Sequence, residues 1–174
     1  MESGAPASRP KASTRSSVAR LSSLLLLTAS ALSANTYTVT NTNDSGAGSL
    51  RQAITDANAN PGMDTIAFDI PGAGVHTIAI AGPLPSFTSP VLVDGFTQPG
   101  ASANTNGPGQ PDNSVHLIEI DATNCNAPFI AGVLVFTNSG TGGSTVRGLV
   151  INRCATRTSI AFLNSCSRPA AKDS

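Results

Sequence analysis

Tryptophan is missing altogether, charged residues reach only 11%, and the three cysteines, Cys125, Cys154 and Cys166, contain no CxxC pair. Each shortage excludes something. Sparse charge beside 16 glycines and 12 prolines argues against a helical bundle and for an all-β, turn-rich chain. An odd cysteine count without metal-type spacing indicates neither a zinc site nor a disulfide framework. A bridge between Cys154 and Cys166 is compatible with a location outside the cytosol, but the sequence does not specify it. No apolar run approaches the roughly 20 residues that a membrane span needs. The nucleophile elbow GxSxG, the zinc helix HExxH and the Walker phosphate loop are all absent. No catalytic residue, cofactor or metal ligand is therefore assigned.

The formal net charge of zero hides an asymmetry. Residues 35–146 hold eight acids against Arg51 alone, a net of −7, whereas residues 147–174 hold four arginines and Lys172 against Asp173, a net of +4. An acidic body excludes nucleic acid as a partner, since that needs a basic stripe. At 174 residues there is room for one domain.

The N-terminus has three ordered regions. Arg9, Lys11, Arg15 and Arg20 precede an apolar stretch, residues 21–32, and small residues follow it. That layout is a secretory signal peptide over residues 1–34, cut after Ala34 or after Ala31. Ala29 and Ala31 satisfy the small-x-small rule, whereas Leu32 is a blemish for a cut after Ala34.

The clearest local signal lies in residues 49–58. Leu50, Ala53, Ile54 and Ala57 recur at i, i+3, i+4 and i+7, one apolar stripe on a short helix. Ser49 followed three residues later by Gln52 has the form of a capping box. Pro61 and Gly62 stop the helix. Ser49, Leu50, Gln52, Ala53, Ile54 and Ala57 are thus a structural cap, and residues 35–60 are a first strand plus this helix.

Residues 61–153 alternate between short β segments and turns. Ile66, Phe68 and Ile70 share one face, as do Ile78 and Ile80. Further β segments are residues 90–94, 116–121, 130–136 and 145–151, and residues 98–114 (QPGASANTNGPGQPDNS) form a long surface loop. Irregular spacing with no two-residue Asn-Gly turn between neighbouring β segments predicts an all-β, right-handed parallel β-helix, a solenoid shut at its first coil by the capping α-helix. The rival is an antiparallel sandwich.

Residues 38–46 (TVTNTNDSG), 48–54 (GSLRQAI) with Ala57 and Asn58, and 64–68 (DTIAF) together resemble the leader of a known family. It is the bacterial secreted parallel β-helix repeat proteins with a CSLREA-type segment, related in fold to pectin lyases. Residues 93–100 (VDGFTQPG), 118–121 (IEID) and 146–153 (VRGLVINR) resemble its rungs. Glycine stands where many relatives carry the leader cysteine. The resemblance implies a secreted or cell-surface protein, adhesin-like or structural, with glycans or a host or neighbouring cell surface as partner. It implies no catalytic site. Residues 154–174 (CATRTSIAFLNSCSRPAAKDS) lose the pattern and read as an irregular tail, truncated or frame-shifted.

The alternative is a polysaccharide lyase-like, carbohydrate-active enzyme of the pectin-lyase fold. Glu119 and Asp121 share a strand face and, with Asp94, could line a calcium column, with Arg147 as the base. A solvated outer face plus a turn aspartate is the preferred reading of these four. Asn41, Asn43 and Ser45 are spaced like a calcium loop, but Gln52 stands at its twelfth position, so an Asx-rich turn is preferred. His76 and His116 read as isolated surface or turn histidines, and Arg51 as a pairing or snorkelling residue.

Overall fold

A computed structural model describes residues 1, 33–124, 132–137, 141–153 and 160–162. Two compact units divide the chain, Met1–Ser30 and Ala31–Ser174, and every described element belongs to the second. The leader stretch 21–32, the three cysteines and most of the tail lie outside the described residues.

The first strand, β1 (Thr36–Val39), leads into α1 (Leu50–Ala59). Ser49 is the N-cap, and its Oγ accepts the Gln52 amide at 3.2 Å. The reciprocal half of a capping box is not made. The Ser49 amide donates instead to the Gly46 carbonyl, and the Gln52 side chain donates to Asp56 one turn on. Leu50, Ala53, Ile54 and Ala57 are all buried. Leu50 and Ile54, fully enclosed, each contribute about 2 kcal/mol of burial.

Alternation then builds β2 (Asp64–Phe68) and β3 (His76–Ala79), whose inward sets are Asp64, Ile66, Phe68 and His76, Ile78. β4 (Val91–Asp94) runs into a 3-10 turn (Gly95–Thr97), and β5 (Ile118–Asp121) and β6 (Leu134–Phe136) follow. β7 (Thr145–Arg147), β8 (Leu149–Asn152) and β9 (Ile160–Phe162) complete the order, β9 falling inside the tail that carries no sustained alternation. The strands form three sheets, β1-β2-β4-β7, β3-β5-β8 and β6-β9. Every pair of named strands is parallel. Phe87 and Phe136 stack at 4.6 Å inside one continuous core.

These findings correct the expected architecture. The chain is several short parallel strands in small sheets plus a helix, a mixed α/β arrangement, not an all-β right-handed parallel β-helix solenoid with a terminal plug. The helix is part of the core rather than an appendage, since its four apolar residues lie in the same cluster as the strand residues. The connections also differ too much to build equal coils: seven residues (69–75) join β2 to β3, twenty (98–117) join the 3-10 turn to β5, and Gly148 alone separates β7 from β8. Sheets of four, three and two strands result. The antiparallel sandwich fails as well, because the ladders are parallel.

Two local departures follow the same logic. The segment 145–151, continuous by its alternation, is broken at Gly148 (φ 70°), which sends β7 and β8 to different sheets. There the backbone lies against the 3-10 turn: a Cβ on Gly148 would stand 2.6 Å from the Phe96 nitrogen, and one on Gly95 would overlap the Gly148 carbonyl oxygen. Only glycine fits either place. The second departure is Gln98, expected in a surface loop but only 1% exposed. Its Oε1 accepts the Ile70 amide at 2.9 Å and its Nε2 donates to the Ile70 carbonyl at 2.8 Å. Thr97 Oγ1 likewise accepts the Phe68 amide at 2.6 Å. Side chains thus continue the β2-β4 ladder after the β4 backbone has turned away.

Beyond Gln98 the loop is tied to itself. Ser102 and Val115 form a two-bond antiparallel bridge, Asn113 Oδ1 accepts the Thr105 amide, and the Asn106 side chain donates to the Pro111 carbonyl.

Candidate functional site

The outward rows of the β3-β5-β8 sheet hold two of the polar side chains singled out from the sequence, Glu119 and Asp121. The register places Thr77 beside Glu119 and Glu119 beside Val150, then Ala79 beside Asp121 and Asp121 beside Asn152. Inward Ile118 and Ile120 anchor β5, so the period of two leaves Glu119 and Asp121 on the opposite face. Glu119 Oε2 accepts from Thr77 Oγ1 at 2.7 Å, and its Oε1 accepts from Asn152 Nδ2. Asp121 accepts both the hydroxyl and the amide of Thr123, at 2.6 and 2.9 Å, and pairs with Arg153 at 2.6 Å.

These bonds set the charge state of the face. The hydroxyl of Thr77, then the amide of Asn152, hold the Glu119 carboxyl below its ordinary range. Thr123 and then Arg153 do the same for Asp121. Both are carboxylates at neutral pH, acceptors already occupied by neighbours. Arg153 has φ 54°, an uncommon backbone region for a residue with a side chain.

Asp94 does not join them. It lies in the other sheet, on β4, nearly buried, with Oδ1 accepting the Phe96 amide at 3.1 Å and Oδ2 paired with Arg147 at 2.6 Å. Its carboxylate, first through the hydrogen bond and then through its charge, raises the Arg147 guanidinium further above its ordinary value. A guanidinium so held is no general base. The calcium column is therefore not assembled. Among the described residues no three His, Cys, Asp or Glu side chains converge on a metal position.

The remaining candidates are placed as follows. Asn41 Oδ1 accepts the Asn43 amide at 3.1 Å, an Asx turn. Arg51 pairs with Asp44 at 2.7 Å and donates to the Gly82 and Pro83 carbonyls, tying the turn before α1 to the exit of β3. Burial alone would raise the Asp44 carboxyl, but hydrogen bonds from Arg51 and the Ala81 amide, with the Arg51 charge, outweigh it and hold it low. His116 packs its ring against Phe96 at 5.3 Å. His76 is not a surface or turn histidine: it opens β3 on the inward face and is buried, with no partner for Nε2 among the described residues. The period that places Ile78 inward also places His76 inward, so that signal was readable.

Sequence reasoning also missed Asp64. It is fully buried at the start of β2, accepting the Asn35 amide and the Asn60 side chain, each at 2.9 Å and both on Oδ1. Its phase with Ile66 and Phe68 was the available signal.

Among the described residues no helix is long and apolar enough to cross a membrane. No protein-family model, no curated protein and no solved structure matches this chain.

Proposed function

We propose that this is an exported, extracytoplasmic protein with a non-catalytic role, adhesin-like or structural, that meets a glycan or a neighbouring cell surface. One observation carries the reading: Asp94, Glu119, Asp121 and Arg147 are each held by a structural partner and lie in two different sheets. Groups spent on cross-strand bonds stabilise a face; they do not converge on a reacting atom. The β3-β5-β8 face instead offers a row of amide, hydroxyl and carboxylate groups beside the exposed Val150. Beyond those bonds each carboxylate keeps further lone pairs, which can accept saccharide hydroxyls. The signal-peptide layout of residues 1–34 and the likeness of residues 48–54 to the CSLREA-type leader of secreted bacterial proteins support export.

The test sets binding against turnover. Purified protein is offered a panel of glycans and whole cells, and separately pectate with calcium. Saturable binding without unsaturated products is the expected result. Calcium-dependent release of unsaturated products, abolished by Glu119→Gln and Asp121→Asn, would replace this proposal with a lyase.

A further inference from the structure

The buried carboxylate of Asp64 has no use in the surface just described, and its surroundings are incomplete. Asp64 is 0% exposed. Both of its hydrogen bonds fall on Oδ1, from the Asn35 amide and Asn60 Nδ2, and Oδ2 has no partner among the described residues. An enclosed carboxylate half satisfied and, among the described residues, without an ion-pair partner is costly. What stands beside it is the backbone nitrogen of Asn35, at 2.9 Å. That nitrogen belongs to the peptide bond between Ala34 and Asn35, one of the two cuts to which the leader points.

We infer that Asp64 is the built receptor for a new N-terminus: hydrolysis of the Ala34 to Asn35 bond leaves an α-ammonium on Asn35 that pairs with Asp64. The inference rests on the export reading. An extracytoplasmic processing endopeptidase supplies the cut and water is the co-reactant. The C–N bond breaks and the water hydroxyl joins the Ala34 carbonyl carbon. The acid so formed gives its proton to the amine, leaving a carboxylate on the departing leader and an ammonium on Asn35. One N–H donor becomes three, enough to reach Oδ2 as well as Oδ1, and the missing positive charge arrives at the atom that already donates.

The surroundings suit both halves of this event. Ser33 and Ala34 are exposed, so the bond is accessible to a peptidase. On the other side Asn35 is held, because the Thr65 amide donates to its carbonyl at 2.8 Å. From Thr36 onward the chain is paired in register with β2. The new terminus therefore does not have to search for its partner. Asn60 Nδ2, shared between the Ser33 carbonyl at 2.8 Å and Asp64 at 2.9 Å, gives up the first and keeps the second. The small-x-small rule on its own favours Ala31; the position of Asp64 favours Ala34.

The full chain is expressed in an exporting bacterial host, and the exported product is analysed by intact mass and N-terminal sequencing. The expected product begins at Asn35. Its α-amino group should react with a limiting amine-acylating reagent about tenfold or more slowly than that of the Asp64→Asn product, the effect of one unit or more of ammonium stabilisation. Should Asp64→Asn not fold, the wild-type product still decides: the Asp64 carboxyl carbon resonance should shift at the pH where the Asn35 amine loses its proton. Export with a terminus at Leu32 overturns the inference and leaves the export reading standing. So does a terminus at Asn35 whose amine reacts at the same rate in both products, or whose titration Asp64 does not sense. A chain retained in the cytoplasm with its leader intact overturns both.

Discussion

Replacing Gln98 by methionine keeps the volume of the side chain and removes both of its hydrogen bonds. The Ile70 N–H and C=O would then be left inside the protein with no partner, since Ile70 is buried and the β4 backbone has already turned away at Gly95. Each unsatisfied group costs about 1–3 kcal/mol, so a loss of about 3 kcal/mol is expected, partly offset by the more apolar side chain. Against the 5–15 kcal/mol of a typical domain, roughly, that is a large fraction. With a urea dependence of about 1–3 kcal/mol per molar, the unfolding midpoint should fall by about 1–3 M at unchanged slope. Gln98→Glu adds a sign that methionine cannot. The introduced carboxyl, when protonated, can accept from the Ile70 amide and donate to its carbonyl; when ionised it only accepts and buries a charge. Its folded pKa therefore lies above its unfolded one. The variant should be most stable below the ordinary glutamate range and lose stability as pH rises through the raised value. A Gln98→Met midpoint within about 0.3 M of the parent would refute the reasoning, because two orphaned backbone groups cannot cost so little.

Other outcomes follow from the same structure. Ser49→Ala should cost about 1 kcal/mol in thermal unfolding, because the Gln52 amide loses its cap. Gly95→Ala should cost about 2 kcal/mol or more, since its Cβ collides with backbone that cannot rotate away, while Gly107→Ala, with open space around it, stays within about 0.5 kcal/mol by chemical denaturation. Thr77→Val removes the hydroxyl that does most to hold the Glu119 carboxyl low, so its titration by NMR should move up toward the ordinary value. The parent's Glu119 contribution is present above the unfolded value and fades as pH falls through the folded one; the variant should lose less stability on acidification.

The helix could be read from the chain because its signals are local: a stripe at helical spacing, a serine before it, a proline after it. Strand faces were legible for a similar reason, and the phase of Ile66 and Phe68 extends to Asp64 just as that of Ile78 extends to His76. What alternation cannot carry is distance. Asn35 and Asp64 are 29 positions apart, and nothing between them announces that an amide will meet a carboxylate. Gln98 was hidden among prolines and glycines because a side chain that stands in for backbone leaves no periodic trace. The architecture was misread where connection lengths decide, since a single glycine at 148 divides what the alternation joins. The four supposed lyase residues were found individually, but the sheet to which each belongs is a pairing decision, and Asp94 went to a different one.

The loop that closes at Ser102 and Val115 gives this protein a self-contained handle. Because its internal bonds end at that two-stranded neck, an epitope or fluorophore grafted between Gly107 and Gly109 would ride outside the ladders that hold the sheets. The molecule could be tracked or immobilised through that tip, with Glu119 and Asp121 left as they are.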